Sequence, residues 1–133
     1  MKAKNVTGAA LITLFCLCVS VANAQVIPST SISIIDNTPS GPYHGSIALY
    51  YLNNGTPVPV GTPITVTGLA LNSLNQIPLT WGLPEETDEN VYILVVQLFD
   101  SSNIPSVPNT FYSSWFNTPF YYNNTIPVTV RFS

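Results

Sequence analysis

Val91–Phe99 reads VYILVVQLF, and eight of its nine residues are apolar. Both alternating sets are apolar: Val91, Ile93, Val95 and Phe99 on one, Tyr92, Leu94, Val96 and Leu98 on the other. A strand with one wet face alternates apolar with polar, so this run predicts a strand covered on both sides. β-Branched enrichment and dense turn residues on its flanks favour a strand over a short buried helix. Directly before it stands the only dense charge in the chain, Glu85-Glu86-Thr87-Asp88-Glu89.

Working outward, the N-terminus reads as a targeting leader. Lys2 and Lys4 precede an apolar run from Ala9 to Val21, and Ala22-Asn23-Ala24 forms a small-x-small cleavage site before Gln25. The run is short for a bilayer span, and no second hydrophobic segment of about 20 residues follows. Residues 1–24 are therefore expected to be a cleaved secretory signal peptide, leaving no membrane anchor and a secreted protein. The periplasm and the cell surface are alternative destinations.

Removal of the leader leaves residues 25–133, roughly 109 residues and one domain's worth. Cys16, Cys18 and both lysines go with it, so neither a disulfide nor a cysteine-based metal or redox site is available. Six acids then face the single cation Arg131. Such a chain cannot neutralise a phosphate backbone, which excludes nucleic acid as a partner, and it is repelled by anionic membranes.

The rest of the chain is punctuated by turns, with 12 prolines in all. Thr30–Asp36 and Gly45–Leu52 read as strands. Asn53-Asn54-Gly55 supplies the positive φ values of a tight hairpin turn. Thr56-Pro57-Val58-Pro59-Val60 cannot sit inside a ladder and reads as an edge or an extended connection. Pro63–Leu71 is the next strand, with Gly68 a bulge or bend. Ile77–Trp81 is a short strand, Asp100–Asn109 a loop, and Thr125–Phe132 (TIPVTVRF) a strand with one buried face. No stretch carries a 3.6-residue period over three turns. The expected fold is all-β: a small antiparallel β-sandwich of about seven strands, immunoglobulin- or fibronectin-like by fold analogy alone, with a barrel as second choice.

Catalytic groups are scarce. His44 reads as a surface turn residue, no mature cysteine or lysine offers a nucleophile, and no nucleotide or hydrolase motif is present. Two carboxylates suffice for glycoside hydrolysis, and outside the acidic run only Asp36 and Asp100 are left to contribute. The expectation is no enzyme. No cofactor is implied beyond a weak calcium candidate, in which Glu85, Glu86, Asp88 and Glu89 offer hard oxygen ligands without the EF-hand spacing. Arg131 is expected in an ion pair with Asp36 or Asp100.

The strongest functional signal is Phe111–Tyr122, with seven aromatics that exceed what one strand can bury. Exposed Trp and Tyr rings stack on sugar faces, and Asn side chains bond hydroxyls. Tyr112, Trp115, Asn117, Tyr121, Tyr122 and Asn123 are the predicted ligand-binding set. The first reading is a secreted, non-catalytic module that recognises a glycan or another hydroxyl-rich surface. The same aromatics suit a surface protein as partner. The alternative is a structural or adhesive subunit of an appendage or matrix, self-associating through edge strands. Asn54-Gly55-Thr56 and Asn123-Asn124-Thr125 match the N-glycosylation pattern.

Overall fold

The computed structural model describes residues 27–84 and 90–132. The leader and the acidic run, including Glu85, Glu86, Asp88 and Glu89, lie outside the described residues. Eight strands and one short helix follow in order: β1 (Ser29–Asp36), β2 (Tyr43–Asn53), β3 (Thr56–Pro59), β4 (Ile64–Leu69), β5 (Asn75–Pro78), β6 (Tyr92–Phe99), β7 (Phe111–Tyr112), α1 (Thr118–Asn123) and β8 (Thr125–Phe132).

The strands form two sheets, β5-β1-β8 and β3-β2-β6-β7, with β4 also on β2. The fold is thus all-β and sandwich-like, and it is not a closed barrel. β2 has 11 residues, long enough to hold β4 along its first half and β3 along its second. The β2–β3 turn uses Asn54 at φ 52° and Gly55 at φ 83°, the pair a two-residue hairpin needs. Gly68, at φ 67°, takes up the register shift in the β2–β4 pairing, where the sequence places a bulge.

One expectation changes in kind. The pairing is not wholly antiparallel, because β1 and β8 run parallel over their full length, Ser29 beside Thr125 through Asp36 beside Phe132. Hairpin signals specify antiparallel neighbours only where strands follow one another. The union of first and last strands is set by packing. Their buried faces, Ile32 and Ile34 with Ile126, Val128, Val130 and Phe132, join Tyr43, Ile47 and Leu49 of β2 and Tyr92, Leu94, Val96 and Leu98 of β6 in one core. Thr30 Oγ1, fully buried, donates to Ile126 O at 2.7 Å and pins the parallel pair. Segment 105–108 ties the sheets together: Ser106 N donates to Leu98 O and Val107 N to Arg131 O.

Three of the edge strands, β3, β5 and β8, share a feature that β4 and β7 lack. Val60 N donates to Leu49 O, so alternation turns the positions of Pro57 and Pro59 away from β2. Leu79 N donates to Pro28 O, which likewise turns Pro78 of β5 outward. On β8, Ile126 O faces β1 and Arg131 O faces away towards Val107, which leaves Pro127 on the side away from β1. Each of these strands therefore carries proline where an outward N–H would stand.

β6 also departs from expectation. Tyr92, Leu94, Val96 and Leu98 are buried as read, but Val91 is exposed and Ile93, Val95 and Phe99 are only half-buried. Among the described residues no second layer covers that face. It is apolar because it floors a groove.

Candidate binding groove

The predicted aromatic platform divides at a single point. Ser113 N donates to Leu94 O, whereas Phe116 exchanges both backbone hydrogen bonds with Tyr92, at 2.7 and 2.9 Å. Two residues, Ser114 and Trp115, therefore oppose the single residue Ile93, which is a bulge. In an unbroken strand Tyr112 and Trp115 point to opposite faces. The extra residue resets the alternation, so Ser113 and Phe116 face the core while Tyr112 and Trp115 stand on the outer face, 60% and 47% exposed.

Ser113 holds the bulge. Its Oγ accepts from Leu94 N at 2.9 Å and donates to Ser114 O at 2.8 Å, within a buried setting. Ser113→Ala leaves the Leu94 N–H without that partner and is expected to cost about 1–3 kcal/mol in urea denaturation. Ser113→Cys, with a weaker acceptor, should fall between the two.

Beyond the bulge the chain turns inward. Asn117 caps α1, its Oδ1 accepting from Phe120 N at 3.0 Å, and Pro119 follows in the first turn. Asn123 donates to Pro119 O at 2.8 Å. Tyr121 is fully buried and its hydroxyl donates to Trp81 O, while Tyr122 both donates to Leu83 O and accepts from Leu83 N. Tyr121 stacks on Phe116 at 5.9 Å, and Phe116 on Tyr92 at 6.1 Å, closing one end of the core. Of the six predicted ligand residues, the structure thus gathers Tyr112 and Trp115 on one open surface. Tyr121 and Tyr122 are engaged in packing, and Asn117 and Asn123 in the helix.

Tyr112 and Trp115 wall a groove of about 370 Å³ floored by Ile93 and Val95 of β6 and bounded by Tyr50 and Leu52 of β2 and Pro57 of β3. Gln97 and Thr110 line it as well, Gln97 Nε2 donating to Thr110 Oγ1 at 3.1 Å. Among the described residues none that lines it is charged. Sequence reasoning missed the floor and the β2 wall. The available signal was the second apolar set of Val91–Phe99 together with the matching apolar set on β2, where Ala48 and Tyr50 are the lateral neighbours of Val95 and Ile93.

A second hollow, of about 380 Å³, contains both carboxylates left to a hydrolase. Ser40 Oγ lies within hydrogen-bond reach of Asp36 (3.3 Å) and Asp100 (3.0 Å). Asp36 also accepts from Thr38 N and from the Tyr43 hydroxyl, the latter at 2.6 Å. Asp100 Oδ1 accepts from Ser102 N and Ile104 N. The Ile104 N–H, aided by Ser40 and Ser102, holds Asp100 below the usual carboxylate range, which suits a turn anchor and disfavours a proton donor. Burial, then the bond to Asp36, pushes the Tyr43 phenol up, and burial does the same to Tyr121. The signs give a stability plateau. Asp100, with a depressed folded value, contributes above an unfolded pKa of about 4 and loses that contribution as pH falls through its folded value. Tyr43 and Tyr121, with raised folded values, contribute below about pH 10 and lose it as pH rises through theirs. Urea midpoints should be level between about pH 5 and 9 and fall on both sides; Asp100→Asn should flatten the acid limb.

His44 lies within β2 and stacks on Phe99 at 5.8 Å, so it is not a turn residue. Arg131 is exposed and, among the described residues, forms no ion pair, with Asp36 and Asp100 tied to local donors instead. Among the described residues no three His, Cys, Asp or Glu side chains come together as a metal group. No described helix is long and apolar enough to cross a membrane. Comparison with protein-family models, with curated proteins and with solved structures finds no match to this chain.

Proposed function

We propose that the protein is a secreted, non-catalytic binding module that takes a glycan in the groove on the outer face of β2, β6 and β7. The observation that carries this reading is the bulge at Ser114–Trp115, which sets Tyr112 and Trp115 on one face above an uncharged apolar floor. Exposed aromatics beside a trough match the apolar faces of sugar rings, and neutral side chains at its margin match their hydroxyls. Trp115→Ala and Tyr112→Ala should each weaken retention on insoluble polysaccharide by tenfold or more, with the unfolding free energy within about 0.5 kcal/mol of wild type because both side chains are exposed. Retention that is absent in the wild type across a polysaccharide panel sinks the reading.

We also read the sandwich as immunoglobulin- or fibronectin-like, on the support of two facing sheets within about 100 residues. The alternative, a structural subunit assembling strand against strand, is opposed at β3, β5 and β8 by their outward prolines and would have to use β4 or β7.

A further inference from the structure

Resting on the glycan reading above, we infer that the groove selects uncharged sugars and that Gln97 and Thr110 form its hydroxyl-reading end. The first support is charge. Arg131 is the single cation among the described residues, and it lies on β8, in the other sheet. Its neighbours Val130 and Phe132 face the core, so Arg131 faces away from both the core and the groove. Among the described residues nothing positive lines the groove, and the chain as a whole is acidic, with a net charge of −3 before any leader is removed. A uronate or sulfated sugar entering it meets a net negative field and finds no counter-charge for the hydration it gives up.

The second support is the polar couple. Gln97 Nε2 on β6 donates to Thr110 Oγ1, just before β7, which orients both side chains. That bond leaves the Thr110 hydroxyl proton and the Gln97 carbonyl oxygen without protein partners among the described residues. A donor and an acceptor side by side match a sugar hydroxyl, or a vicinal pair, better than they match an anion, which needs donors alone. Thr110 directly precedes β7 and stands two residues from Tyr112, about 7 Å along an extended chain. One ring stacked at Tyr112 therefore brings its rim hydroxyls towards the couple.

The test uses the full chain in titrations with soluble β-linked glucan, mannan and N-acetylglucosamine oligomers against polygalacturonate and alginate oligomers, each at 50 and 500 mM NaCl. The expected result is binding to at least one neutral series, unchanged within twofold by salt, with the uronates at least tenfold weaker. Thr110→Val and Gln97→Ala, both at the surface, should each weaken the neutral ligand about three- to tenfold at unchanged melting temperature, the range for one neutral hydrogen bond. Uronates binding as tightly as the neutral series overturn the selectivity while leaving the glycan reading intact. Unaltered affinity in both variants overturns the assignment of the couple. Binding to none of the probes overturns this inference together with the glycan reading.

Discussion

Gly45→Ala is expected to lower the unfolding free energy by about 3 kcal/mol. A Cβ built at Gly45 would lie 1.9 Å from Gln97 O and 2.9 Å from both Gln97 C and Leu98 Cα. All three are backbone atoms, so no change of rotamer relieves the contact. Gly45 pairs with Leu98 near the start of β2, beside the register shift that also involves β4. Relief requires β2 and β6 to separate there, and those strands bring Ile47, Leu49, Val96 and Leu98 to the fully or almost fully buried centre of the core. The cost thus combines strained pairing with lost packing. Equilibrium urea denaturation measures it: the midpoint should drop with little change in slope. A wild-type midpoint would mean that the two backbones part there without disturbing the layer beneath.

Tyr121→Ala should cost about 3–5 kcal/mol, the range for removing a large buried aromatic. The ring is 0% exposed, stacks on Phe116 and meets Tyr122 edge-on at 5.1 Å. Tyr121→Phe keeps those contacts and removes only the hydroxyl that donates to Trp81 O at 2.7 Å, so its loss should be nearer 1 kcal/mol. The difference between the two variants separates packing from hydrogen bonding at one site. If Tyr121→Ala instead retained full stability and lost only ligand binding, the residue would belong to the recognition surface.

Much of the scaffold is legible in the chain because its determinants are local. The alternation of Thr125–Phe132 appears unaltered in the burial of β8, and Asn54-Gly55 makes the hairpin its φ preferences require. What escapes is set by neighbours distant in sequence. The face of β6 carrying Ile93 and Val95 is as apolar as a doubly covered strand, and composition does not distinguish a face under another layer from one flooring a groove. The bulge at Ser114–Trp115 exists only relative to Ile93 on the partner strand, so no reading of 111–122 alone reveals which rings share a face. α1, at six residues, is too short to show a helical period, although Asn117-Thr118-Pro119 carries a capping residue followed by proline. The parallel union of β1 and β8 joins residues 96 apart in sequence, beyond the reach of any local signal.

The outward prolines of β3, β5 and β8 bear on what happens when many copies crowd onto one polymer. Few charges hold such molecules apart, and a strand-rich chain at high local density invites one molecule's border to template the next. Pro57, Pro59, Pro78 and Pro127 each delete a rung from that template. Under the proposed glycan reading, neighbours crowded on one polymer would then be kept from pairing through β3, β5 and β8, which leaves β4 and β7 as the edges where pairing could still start.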